Sequence, residues 1–64
     1  MTTKVKAWRL AWQEPSGNTG HGDWWDDIAW VARIATAYKK EEPRRIVWIE
    51  GTSGVRTEII QEEN

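Results

Sequence analysis

The chain has 64 residues, no cysteine and a formal charge of −1 from nine basic and ten acidic side chains. That length makes one domain, near the lower limit for folding without staples, and the missing thiols exclude disulfides, zinc–thiolate sites and iron–sulfur clusters. The balanced charge excludes both a net basic field for gathering nucleic acid and a strongly acidic mimic of it.

Lys4 to Gln13 alternates as a strand, with Lys4, Lys6, Trp8, Leu10 and Trp12 on one face and Val5, Ala7, Arg9, Ala11 and Gln13 on the other. Glu14-Pro15-Ser16-Gly17-Asn18-Thr19-Gly20 is turn chemistry, because proline fixes φ while Gly17, Asn18 and Gly20 tolerate positive φ. A short return strand from His21 to Trp24 closes a hairpin. A helix follows, with Asp23 or Asp26 available as its cap and Asp26 and Asp27 suited to the positive end of its dipole. Ile28, Val31, Ala32, Ala35 and Tyr38 define its buried stripe, flanked by Trp30 and Ile34, with Arg33, Thr36 and Lys40 opposite. Lys39 and Lys40 suit the last turn, and Pro43 ends the helix. Arg45 to Glu50 reads as a central strand, since Ile46-Val47-Trp48-Ile49 is apolar on both faces. Gly51-Thr52-Ser53-Gly54 turns into a closing strand from Val55 to Gln61, and Glu62-Glu63-Asn64 is expected to fray.

These elements predict a single α+β domain over residues 1–64, ordered β-β-α-β-β. The sheet is small and antiparallel, its strand order is 2-1-3-4, and one helix packs on one face. Six tryptophans and no phenylalanine stand out in the composition, and most of them are expected in the core. The start, Met1-Thr2-Thr3-Lys4, has no apolar run of the signal-peptide kind, and no stretch approaches a membrane span; the expected setting is the cytoplasm, without membrane contact.

No catalytic pattern emerges. Gly17-Asn18-Thr19-Gly20-His21-Gly22 lacks the lysine of a phosphate loop and runs into Asp23, Asp26 and Asp27, which would repel an anion. Those aspartates lack the spacing and closing glutamate of a calcium loop, and one histidine is too few for a metal site of nitrogen ligands. Ser16 and Ser53 fall in turns, with no nucleophile elbow. The chain is therefore expected to be non-enzymatic, with no cofactor.

The pattern Trp8-Arg9-Leu10-Ala11-Trp12, Thr19-Gly20-His21-Gly22-Asp23-Trp24-Trp25, Ala29-Trp30-Val31, Pro43 and Val47-Trp48-Ile49-Glu50 resembles small β-β-α-β proteins of bacteriophages, prophages and bacterial genomes. It spans roughly residues 8–50 and leaves Gly51 to Asn64 outside. The resemblance implies a phage accessory setting in a host cytoplasm and brings no functional residue with it.

One helix covers one sheet face, so the other is expected to expose apolar side chains. Ala7, Arg9, Ala11, Val47 and Ile49 are the candidate interaction surface, used by a protein partner or by a face-to-face homodimer. The competing reading is a single-stranded nucleic-acid binder that stacks bases on sheet aromatics, with Lys4, Lys6, Arg9, Arg44, Arg45 and Arg56 as cations. The acidic remainder of the chain argues against it.

Overall fold

The structure, a computed structural model, describes residues 6–60. Among these residues four antiparallel strands, β1 (Trp8–Gln13), β2 (Thr19–His21), β3 (Ile46–Gly51) and β4 (Arg56–Ile59), lie in the order β2-β1-β3-β4. One helix, α1 (Ile28–Glu41), packs across β1 and β3 on one side of the sheet. The expected α+β plan and strand order are thus the observed ones.

The hairpin turns follow the glycines. Gly17 (φ 100°) and Gly54 (φ 93°) adopt the left-handed conformation that a side chain disfavours. Asn18 and Gly20, also expected to tolerate it, do not use it. The first hairpin returns earlier than the sequence suggests. Its paired strand ends at His21, and the chain rejoins β1 through a bridge between Trp25 and Trp8. Lys4, Val5 and Gln61, expected at strand ends, lie outside the described residues.

Asp27 is the helix cap, in place of Asp23 or Asp26. Its backbone is extended (φ −120°), and its carboxylate accepts from the amides of Ala29 (3.0 Å) and Trp30 (3.4 Å). At the other end Glu42 is the last capping residue before Pro43, which cannot continue the amide ladder. Arg45 falls just outside β3 and acts as a clasp. Its guanidinium reaches Glu14 (2.6 Å) and the Tyr38 carbonyl (3.0 Å), while Lys39 Nζ donates to the Arg45 carbonyl (2.6 Å). The first hairpin, the helix end and the entry to β3 are held together there.

The core is aliphatic: Leu10, Val31, Ala35, Val47 and Ile49, closed by the helix over the sheet. Most tryptophans lie at its rim or outside it, contrary to the expectation that indoles fill it; Trp48 is buried, on the side of the sheet opposite the helix. Trp8 and Trp12 are half-buried at the margins, each lying across a glycine of the neighbouring strand. Trp8 is paired with Gly51 and Trp12 with Gly20, where the absence of a Cβ leaves room for a flat ring. Trp12 also meets Tyr38, centroids 5.0 Å apart. Trp25 and Trp30 stay substantially exposed, touching edge to face at 5.8 Å, and Ile28 is exposed as well, so the buried stripe of α1 is narrower than its sequence suggests.

Candidate functional site

The register decides what the uncovered side of the sheet presents. Leu10 pairs with Ile49 and Trp12 with Val47, so all four point toward the helix. Arg9, Ala11 and Gln13 point the other way, together with Ile46, Trp48 and Glu50 of β3 and Arg56 and Glu58 of β4. Val47 and Ile49, expected on the interaction surface, are instead buried beneath α1, because β3 must match the phase of β1. Ile46 and Trp48 take their places on the open face. Ala7 precedes β1 and donates its amide to the Trp25 carbonyl (2.9 Å), and Ala11 is buried between its partners His21 and Trp48. Of the expected surface residues, Arg9 alone is a polar side chain on the open face.

Arg9 is the centre of a linked array. One cross-strand rung runs Arg9–Glu50–Arg56, and the next runs His21–Ala11–Trp48–Glu58. Arg9 Nε donates to Glu50 Oε1 at 2.7 Å. The Arg9 guanidinium also lies over Trp24, 4.5 Å from the ring centroid, and Arg56 covers Trp48 at 3.7 Å. Cation–π contact of this kind holds a guanidinium and an indole in one geometry at little entropic cost. Trp48 is only 7% exposed although it lies opposite the helix. The contiguous bare apolar patch expected on this face is therefore roofed by arginine.

Two shallow basins flank the ion pair. One of about 400 Å³ is bounded by Arg9, Trp24, Glu50, Val55 and Arg56. The other, about 460 Å³, is floored by Ala11 and walled by His21, Trp48 and Glu50. Trp48 Nε1 is buried and completes no hydrogen bond of standard geometry among the described residues. Its N–H dipole still acts on the adjacent Glu50 carboxylate, and with Arg9 it holds that carboxyl below its ordinary value. A group kept ionised in this way is the reverse of the raised carboxyl that a general acid requires. His21 faces the carbonyl of Gly22 (3.3 Å), and among the described residues no three His, Cys, Asp or Glu side chains gather as metal ligands.

The lowered Glu50 carboxyl makes the fold acid-sensitive in a defined direction. The folded state binds its proton less readily than the unfolded chain, so the stabilisation is full above the ordinary glutamate value of about 4.3 and is lost as pH falls through the folded one. Unfolding free energy measured against pH should fall on acidification below that value, and Glu50→Gln should flatten the slope. An unchanged slope would mean that Glu50 gains nothing from its neighbours.

Trp24, Trp48, Glu50 and Arg56 are the members of this candidate site that sequence reasoning did not bring together. Their signal was parity, because Arg9 and Ala11 share a face with Trp48 and Glu50 once the register is known. Compared with protein-family models, curated proteins and solved structures, the chain matches none, and its site is read from its own chemistry.

Proposed function

We propose that this chain is a small protein-binding module that acts without catalysis through the open face of its sheet. The observation that carries this reading is the Trp24–Arg9–Glu50 and Trp48–Arg56 array, prebuilt on the face that α1 leaves uncovered. Tryptophan and arginine dominate binding hot spots because each contributes large contact area with directed polar groups. Holding them in place before binding removes much of the ordering cost that a partner would otherwise incur. The mixed charge of the face, two arginines alternating with Glu50 and Glu58, suits a protein surface of mixed polarity better than a phosphate backbone. An accessory, host-directed role in a phage or prophage setting is part of the same proposal for such a module.

A photo-reactive benzophenone amino acid tests the face. Gln13 and Thr19 lie on it, away from β4, whereas Arg33 is exposed on the helix. Expressed in bacteria and illuminated, the chain should form discrete adducts with another protein from positions 13 and 19 and none from 33. Adducts from 33 alone, or none anywhere, would overturn the reading. A mixed single-stranded oligonucleotide should leave tryptophan fluorescence unchanged at physiological salt. Saturable quenching that salt reverses would instead assign the face to nucleic acid.

A further inference from the structure

We propose that β4 is a self-pairing edge, at which a second copy of this chain extends the sheet about a two-fold axis through Thr57. The inference rests on strand geometry and goes beyond the reading of the open face.

Sheet edges in stable monomers are usually blunted by bulges, proline, lysine or a covering element. The β2 edge is blunted, being three residues long with the Trp12 ring across its Gly20. β4 is not. It is the outer strand among the described residues, its register with β3 is continuous from Arg56 to Ile59, and its exposed charges, Arg56 and Glu58, are of opposite sign, so they attract a second copy instead of repelling it. The helix sits over β1 and β3 and barely reaches it.

The hydrogen-bond phase of β4 is readable. The Gly51 amide donates to the Val55 carbonyl at 2.8 Å, which makes 51/55 a hydrogen-bonded pair. In an antiparallel ladder every second pair shares that character, so Ile49/Thr57 and Val47/Ile59 do too. Arg56 and Glu58 therefore turn their amides and carbonyls outward, toward the free edge.

A partner strand must pair with those two residues. Val55-Arg56-Thr57-Glu58-Ile59 complements itself when run antiparallel about Thr57. Arg56 then stands opposite Glu58 of the second copy, and Glu58 opposite its Arg56, both as hydrogen-bonded pairs on the open face. Thr57 meets Thr57, and Val55, half-exposed in one chain, meets Ile59 on the helix side. Centring the axis on Arg56 or Glu58 keeps the phase but sets like charges against each other, which destabilises a cross-strand pair. A half-step shift sets outward-facing groups against inward-facing ones and places paired side chains on opposite faces. One register satisfies phase, charge and polarity together. Two four-stranded sheets become one of eight, with both open faces on the same side and the two Trp48–Arg56 stacks near the axis.

Charge reversal tests this. Light scattering behind a sizing column should give the wild type a mass near twice 7.5 kDa in the micromolar range. Glu58→Arg alone and Arg56→Glu alone should each raise the dissociation constant about tenfold or more. Mixing the two variants should restore a dimer, because every Arg then again faces a Glu. Backbone amides of Arg56 and Glu58 in the wild type should exchange with solvent more slowly as concentration rises, a readout that needs no variant. A wild type that stays at monomer mass, variants that dimerise unaided, or fast exchange at both amides in a doubled-mass species would each overturn the proposal.

Discussion

Ile49→Ala should cost about 2–5 kcal/mol of folding stability, the range for truncating a large aliphatic side chain in a closed core. Ile49 is 5% exposed and packs with Leu10, Val31, Ala35 and Val47. A domain of this length has a total stability on the order of 3–10 kcal/mol, so the variant should be largely unfolded or close to it. Ile46, three residues earlier in the same strand, points to the open face and is 39% exposed. Ile46→Ala should cost less, about 1–2 kcal/mol, since more than a third of its surface stays in water in the folded state. Urea midpoints of the two variants measure the difference. The reverse order would mean that the helix covers the other face of the sheet.

The second large effect is expected at Gly20. A Cβ built there would lie 2.5 Å from Cζ2 and 2.7 Å from Cε2 of Trp12. The indole is held by Tyr38 and cannot retreat freely. Gly20→Ala should therefore cost about 1–3 kcal/mol through overpacking, with a changed near-ultraviolet circular dichroism signal from the displaced ring. Gly17→Ala is a useful contrast, since nothing lies near its Cβ position and its cost arises from φ at 100°, about 1–2 kcal/mol. Trp12→Leu combined with each substitution separates the two mechanisms. It should relieve the Gly20 variant, giving a double cost below the sum, and should add to the Gly17 variant without coupling. Additivity in both pairs would show that the Trp12–Gly20 contact does not constrain the fold.

These two cases mark where local pattern stopped being informative. The hairpin glycines, the helical spacing of Val31, Ala35 and Tyr38, and Pro43 were legible, because each is a short-range steric or hydrogen-bonding rule. The choice of cap was not, since three aspartates within five residues satisfy the same local rule and packing selected Asp27. The place of the tryptophans was not legible either. A pattern marks an indole as apolar, yet whether it enters the core depends on the room facing it, and here that room lay over Gly20 and Gly51 at the margins.

The sequence by itself determined the element order, the antiparallel sheet and the strand order, through alternation, turn chemistry and the short connections on either side of one helix. Only the tertiary structure decided which face of β3 is covered. Ile46-Val47-Trp48-Ile49 is apolar on both sides, so its period of two carries no phase of its own. Pairing Leu10 with Ile49 and Trp12 with Val47 supplied that phase by closing Leu10, Val47 and Ile49 against Val31 and Ala35, with Trp12 at their margin. The same step turned Trp48 and Glu50 toward Arg9 and Arg56 and assembled the open face. A contact between residues some forty positions apart is set by the summed packing of the sheet and helix, which no local window contains.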